Sequence, residues 1–278
     1  MATAIRTKVG QNPTVEAVHH IRRMRGGAQS QLMRCSDGQY YVVKFRNNPQ
    51  HSRVLVNDML ATILAEQIGL PVPKTAIVQV DKSLIRETPE LSIQQAHTSV
   101  PCESGFQFGS RYVVDPLRGQ VFDYLPSEML AMVRNLQSFA GILVFDKWMG
   151  NVDLRQAAFW RLCTERKYRA AFIDQGYCFN AGEWTFPDYP LRGVYGHMEV
   201  YETVHGWESF EPWLWRIEHF DEDCLWCAAR EIPAEWYDNE WSELERLVEK
   251  LIYRRGMIRD LVDGFRLSTR HPFPHWKQ

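Results

Sequence analysis

The sequence predicts an α+β protein with a β-rich N-terminal part and a mainly helical C-terminal part. Residues 14–46 alternate between apolar and polar in the manner of strands, with Asp37-Gly38 as a hairpin turn. Apolar residues then recur at helical spacing over residues 129–144 and 241–265. We expect two lobes, residues 1–122 and residues 123–278.

The remaining elements follow from local patterns. Residues 53–69 carry apolar positions on one helical face, and Gly69 and Pro71 end that helix. Residues 82–110 are polar and irregular, which predicts a long loop or insertion. The last helix has glycines at 256 and 264 that could break or end it, and residues 180–210 are loop-rich. Further strands are predicted over residues 15–18, 31–35, 39–45, 71–80, 111–114 and 119–122.

Two aspartates flank a predicted β-hairpin in the C-terminal part. Asp153 precedes the strand at 157–163, and Asp174 follows the strand at 168–173. This order places two carboxylates at one end of a small sheet. Phosphoryl transfer uses such a pair, one to orient or deprotonate the attacking hydroxyl and the other to hold Mg²⁺. The alternative is that both aspartates cap backbone N–H groups in turns.

The N-terminal part contains two features suited to binding phosphates. A turn of small residues, Gly26-Gly27-Ala28-Gln29-Ser30, would let backbone N–H groups approach an anion closely. Lys44 ends an otherwise apolar strand, so it must be paired or reach solvent. Asp58, on the helix that follows, is the first candidate partner, and Glu66 is the second.

In this order, these stretches resemble the HipA-like kinases, a bacterial group related in fold to protein kinases and phosphoinositide kinases. The resemblance spans roughly residues 15–262, and Gly69-Leu-Pro-Val-Pro73 and Gly150-Asn-Val-Asp153 are its most specific pieces. The other similar stretches are Gly26-Gly-Ala-Gln-Ser30, Tyr41-Val-Val-Lys44, Val56-Asn-Asp58, Phe172-Ile-Asp174-Gln-Gly176 and Ile232-Pro-Ala-Glu-Trp236.

The resemblance implies a two-lobed protein-kinase-like fold, ATP and Mg²⁺ as cofactors, and transfer of the γ-phosphoryl group to a hydroxyl. Lys44 is then the lysine that binds the ATP phosphates, and Asp58 takes the place of the helix glutamate. Asp153 is the catalytic aspartate, and Asp174 is the metal ligand. The residues of the turn, Gly26, Gly27, Ala28, Gln29 and Ser30, cover the phosphates. The acceptor is expected to be Ser or Thr of a protein, with a small molecule as the alternative.

The catalytic loop departs from the family pattern, which usually reads Asp-x-His-x-x-Asn. Here Arg155 stands for the histidine and Ala158 for the asparagine, so the second metal ligand is missing from its usual place. Gln156 or Asn151 could replace it, because either carries an amide oxygen that can meet a hard cation.

The sequence also allows a competing register and two competing functions. Asp146 and Asn151 also match the Asp-x-x-x-x-Asn spacing of protein kinases. We prefer Asp153, because a strand begins directly after the fifth residue that follows it. The absent asparagine also favours a nucleotide-binding pseudokinase that acts as regulator or scaffold. Transfer of AMP on the same scaffold is a third possibility.

Composition limits the partners and the compartment. A net charge of −2 and a sequence pI near 6.5 give no electrostatic footprint for nucleic-acid binding. No apolar run has the length of a membrane span or a signal peptide, so a cytoplasmic protein is expected. The six cysteines lack the spacing of a disulfide framework, and we expect them to be reduced and buried.

Overall fold

The computed structural model describes residues 12–277, which form a β-barrel, a three-stranded sheet, a two-stranded sheet and a helical C-terminal part. The strands are β1 (Thr14–Arg23), β2 (Gln31–Cys35), β3 (Tyr40–Lys44), β4 (Thr75–Val80), β5 (Ser92–Gln94), β6 (Ser99–Pro101), β7 (Gly105–Arg111), β8 (Gly119–Phe122), β9 (Gln156–Leu162) and β10 (Arg169–Ile173). The α-helices are α1 (Val54–Gln67), α2 (Lys82–Glu87), α3 (Ser138–Met149), α4 (Trp213–Glu218), α5 (Glu222–Arg230), α6 (Trp241–Arg254) and α7 (Ile258–Arg266).

The barrel has the order β1-β2-β3-β7-β4 and closes through a parallel pairing of β1 with β4. The predicted hairpin of β2 and β3 is confirmed, with Met33 opposite Tyr41. Asp37 stabilises its turn by accepting hydrogen bonds from the Gln39 amide and the Tyr41 hydroxyl. The barrel therefore fixes Lys44 at the end of a buried strand.

Strand β7 lies within the segment that the sequence predicts to be a loop, and that prediction is wrong. It pairs with both β3 and β4 in the barrel. Its pattern is obscured by Gln107, which is fully buried and bonds the Arg46 amide and the Glu103 carbonyl. Gly109 further weakens the pattern. A glycine lies here because a Cβ at this position would be 2.4 Å from the side chain of Val78. Residues 111–114, predicted as a strand, lie beyond β7 except for Arg111.

Helix α1 is buried on nearly every face from Val54 to Ala65, because it lies between the barrel and the C-terminal helices. The predicted helix is confirmed, and it ends just before Gly69. Its apolar side chains join the larger of the two core clusters, which continues through α3 to α7. Its polar side chains can therefore reach the loops that follow β10.

The helix predicted over residues 129–144 is interrupted. A 3₁₀ turn (Ser127–Met132) is followed by extended backbone at Val133, and α3 begins only at Ser138. The side chain of Asn135 bonds both the N–H and the C=O of Ala170, which holds this connection against β10. Tertiary contacts with the hairpin therefore override the helical pattern.

The predicted hairpin between the two aspartates is confirmed as β9 and β10, with Gln156 opposite Ile173. Strand β8, at the end of the predicted N-terminal lobe, extends this sheet by pairing with β9. The last predicted helix is two helices, α6 and α7, separated at a 3₁₀ turn that contains Gly256. Gly264, in contrast, lies inside α7 and does not end it. Residues 180–210 are loop-rich as predicted, with short 3₁₀ turns and an isolated β-bridge between Tyr195 and Arg155.

Cys35, Cys102, Cys163, Cys178 and Cys227 are free thiols. Cys35, Cys102 and Cys178 are buried as expected, whereas Cys163 and Cys227 are exposed, which corrects the expectation for these two. No helix among residues 12–277 is long and apolar enough to cross a membrane.

Candidate active site

A cleft of about 890 Å³ lies between the barrel and the C-terminal part. It brings together side chains from the β1–β2 turn, the end of β3, helix α1 and both aspartate turns. The residues predicted for the site that line it are Gly26, Gly27, Ala28, Ser30, Lys44, Asp58, Asp153, Gln156 and Asp174.

Lys44 is the centre of this arrangement. Its Nζ donates to Oδ2 of Asp58 at 2.6 Å and to Oδ1 of Asp174 at 2.7 Å. Burial by itself would lower the pKa of Lys44, but the carboxylates of Asp174 and Asp58 outweigh it and raise the pKa above its ordinary value. Lys44 is therefore a permanent positive charge on the floor of the cleft.

Asp58 is the partner of Lys44 on α1, and Glu66 instead pairs with Lys74 at the surface. The second oxygen of Asp58, Oδ1, accepts a hydrogen bond from the backbone N–H of Gln175 at 2.8 Å. Burial raises the pKa of Asp58 to about 6, against the opposing effect of Lys44. Its aspartate side chain reaches both partners without the extra methylene of a glutamate.

Asp174 follows β10 in the left-handed region, with φ of 61°. Burial raises the pKa of its carboxyl, but Lys44 outweighs burial and lowers the pKa below its usual range. Its Oδ2 accepts a hydrogen bond from Nε2 of Gln156 at 3.0 Å. Two residues later, a Cβ on Gly176 would lie 2.7 Å from Val54, so only glycine lets α1 approach this closely.

Asp153 lines the same cleft, and its Oδ1 accepts a hydrogen bond from the Leu154 amide. Asp146, the competing candidate, lies in the last turn of α3 and is only 1% exposed. Both of its oxygens bond the buried guanidinium of Arg155. Of the two candidates, only Asp153 faces the cleft.

Two of the predicted site residues have side chains outside the cleft. The side chain of Asn151 bonds Asp146 and the backbone N–H of Asp153. Gln29 has φ of 48°, and its side chain bonds the backbone of Gln94 on β5 instead of facing the cleft. Gln29 therefore ties the small-residue turn to the β5–β6 hairpin.

Asn57 is a structural element of the site to which sequence reasoning assigned no role. Its Nδ2 donates to the carbonyls of Gly176, Cys178 and Ala181, and its Oδ1 accepts from the indole of Trp184. A hydrogen bond from His51 to the Gly176 carbonyl adds to these contacts. The one signal was its position beside Asp58 in a stretch similar to the family. Asn57 holds the segment after Asp174 against α1.

The donor set suits a hard divalent cation bound together with a nucleotide. Asp174 offers a carboxylate, and a half-turn of the Gln156 amide would present its oxygen at the same point. Residues 12–277 contain no cluster of three or more His, Cys, Asp or Glu side chains that could hold a metal alone. Mg²⁺ is typically bound by one or two carboxylates plus substrate phosphates, which agrees with such a sparse set.

A protein-family model described as HipA-like kinase matches residues 17–180, more than half of the chain. The chain therefore belongs to the HipA-like kinase family. Comparison with curated proteins gives no match.

Solved structures that are similar to the chain over most of its length include two kinases. The first is the Helicobacter pylori proinflammatory kinase CtkA, with a TM-score of 0.60 and 14% identity over 92% of this chain and 100% of that one. The second is the Golgi casein kinase with Mn/ADP bound, with a TM-score of 0.50 and 9% identity over 94% of this chain and 75% of that one. These similarities establish a kinase-like fold, and family and fold together support a phosphotransferase.

Proposed function

We propose that this protein is an ATP- and Mg²⁺-dependent kinase that transfers the γ-phosphoryl group to a hydroxyl, in particular of Ser or Thr in a protein. The observation that carries the proposal is the contact of one buried lysine with two carboxylates, Asp58 and Asp174, in a cleft that Asp153 also lines. A lysine–acid pair and a metal-binding aspartate in place are what a kinase needs for activity.

Each residue has a role that follows from its position. Lys44 balances the charge of the phosphates, and Asp58 holds its ammonium group in place. Asp153 accepts a hydrogen bond from the acceptor hydroxyl and takes its proton as the oxygen attacks. The bond between the γ-phosphorus and the bridging oxygen breaks, and ADP leaves. Bound Mg²⁺ would neutralise the charge on the phosphate oxygens.

Asp174 and Gln156 are the residues that would hold the metal. Gln156 lies two positions before Ala158 on β9, so both side chains share one face of the strand. An amide oxygen is therefore available on the face where the family's asparagine is missing. Its contact with Asp174 favours an active kinase over a pseudokinase.

The Golgi casein kinase supports the nucleotide and the metal in this proposal, because its structure holds Mn and ADP. The direct test is to incubate the protein with Mg²⁺ and ATP labelled at the γ-phosphate, with and without candidate protein acceptors. We expect label on Ser or Thr and release of ADP. Binding of ATP without any transfer would instead favour the pseudokinase, and transfer of AMP would show as a different added mass.

A further inference from the structure

The guanidinium of Arg155 is buried and bonded on three sides. Nε and Nη2 donate to the two oxygens of Asp146 at 2.8 and 2.5 Å. Nη1 donates to the carbonyl of Ile173 at 2.8 Å and, at 3.4 Å, to that of Asp174. One side chain thus joins the end of α3 to the backbone that carries the candidate metal ligand.

Asp146 continues this network to the catalytic loop. Its Oδ1 accepts a hydrogen bond from Nδ2 of Asn151 at 3.0 Å. Oδ1 of Asn151 in turn accepts from the backbone N–H of Asp153 at 3.0 Å. An unbroken series of hydrogen bonds therefore runs from the backbone of Asp153 to the backbone of Asp174.

Two observations indicate that this network positions the backbone of Asp174 and does not only stabilise the fold. Asp174 has a left-handed backbone, and a non-glycine residue keeps such a conformation only when its surroundings hold it there. A fully buried ion pair is also weak evidence for stability, because apolar residues often serve as well. Bonds to the consecutive carbonyls of Ile173 and of Asp174 itself point instead to control of position.

We propose that Arg155 is a positioning residue that fixes Asp174 relative to Asp153, with Asp146 as its counter-ion. The proposal rests on the proposed function for the roles of those two aspartates. In this arrangement Asp146 and Asn151 support the catalytic loop. Lysine cannot replace Arg155, because an ammonium group lacks the planar fork that spans a carboxylate and a carbonyl together.

The test compares Arg155→Lys with Arg254→Lys as a matched control. Arg254 is also buried, pairs with Asp188 and donates to the carbonyls of Lys147 and Trp148 at the end of α3. Its hydrogen bonds and its ion pair do not involve the aspartate turns. Both variants lose a buried arginine bonded to backbone carbonyls, but only one loses the link to Asp174.

The first readout needs no ligand. The backbone N–H of Gln175 is hydrogen-bonded to Asp58. Its hydrogen exchange should be about tenfold faster in Arg155→Lys and unchanged in Arg254→Lys. The second readout is Mn²⁺ binding in the presence of a non-hydrolysable ATP analogue, followed by electron paramagnetic resonance. Mn²⁺ affinity should fall about tenfold or more in Arg155→Lys, while the affinity for the analogue without metal stays the same.

Equal exchange rates and equal Mn²⁺ affinity in Arg155→Lys and the wild type would overturn the proposal. If Arg155→Lys does not fold, Asp146→Asn decides, because it keeps the shape but removes the counter-ion. It should shift both readouts in the same direction, and no shift would overturn the proposal. A wild-type protein that binds neither the analogue nor Mn²⁺ would contradict the proposed function, whereas the exchange measurement would still test Arg155.

Discussion

Nζ of Lys44, at the end of β3, lies 2.7 Å from Oδ1 of Asp174, in the loop after β10. These residues are 130 positions apart in the chain, and their contact joins the barrel to the C-terminal part. Since Asp58 shares the same ammonium group, one positive charge holds two carboxylates in the cleft. The stability of this cleft and its chemistry should therefore change together.

Removal of Lys44 should destabilise the fold. In Lys44→Met the buried carboxylate of Asp58 and the half-buried carboxylate of Asp174 lose their common partner, so the free energy of unfolding should fall by about 3 kcal/mol, as for other broken buried pairs. Urea denaturation at neutral pH measures this. Lys74→Met is the matched control, because it breaks an exposed pair with Glu66 and should change stability little. A Lys44→Met protein as stable as the wild type would contradict the charge arrangement.

Asp58 should give the stability a distinct pH dependence. Burial raises the pKa of Asp58 to about 6 in the folded protein, whereas an aspartate in the unfolded chain has a pKa of about 4. In that window the folded state binds the extra proton, so the stability that depends on Asp58 falls as the pH rises through it. The lowered pKa of Asp174 acts below the window.

The measurement compares urea denaturation of the wild type and Asp58→Asn across this range. The wild type should lose stability relative to the variant between about pH 4 and pH 6, and the difference should be constant above that. If the difference in stability does not change with pH, or changes in the opposite direction, the pKa of Asp58 is not raised in the folded protein.

Asn57 should control the order of the segment after Asp174. Asn57→Ala leaves the carbonyls of Cys178 and Ala181 without their donor and the carbonyl of Gly176 with only His51, so the free energy of unfolding should fall by about 2 kcal/mol. Hydrogen exchange and proteolysis should increase over residues 176–184. Asn135→Ala, which also removes side-chain bonds to the backbone, should leave that segment unchanged. Equal exchange there in both variants would argue against this role.

Gln156 should matter for the metal more than for the nucleotide. Gln156→Ala should raise the Mg²⁺ concentration for half-maximal phosphoryl transfer about tenfold or more, because a ligand beside Asp174 is lost. The KM for ATP at saturating Mg²⁺ should change little. The double variant Gln156→Ala/Ala158→Asn should recover part of the loss, since both positions share one face of β9. An unchanged Mg²⁺ dependence would exclude Gln156 as a ligand.

Local patterns in the sequence predicted most strands, helix α1 and the hairpin between the two aspartates. They missed β7, because a buried glutamine and several glycines and serines in and around it hide its alternation. Its burial depends on partners on β3 and β4 and on polar groups from Arg46 and Glu103. A buried glutamine whose hydrogen-bond partner is far away in the chain, as Arg46 is, leaves no local pattern in the sequence.

The candidate site shows the same limit. The order of motifs predicted Lys44, Asp58, Asp153 and Asp174, but spacing alone left Asp146 as a competitor. The contact of Asp146 with Arg155 is made between a helix end and a loop, so it is visible only in three dimensions. Asn57 escaped notice for a similar reason, because its partners lie about 120 residues further along the chain.

The most direct measurement of the central claim uses Asp153→Ala and γ-labelled ATP. Phosphoryl transfer should fall below detection, while calorimetry should give an ATP affinity within about twofold of the wild type, because Asp153 acts on the acceptor and not on the nucleotide. Asp260→Ala, at an exposed position on α7, is the control and should transfer phosphate at the wild-type rate. Transfer at the wild-type rate by Asp153→Ala would contradict the assignment of the catalytic aspartate.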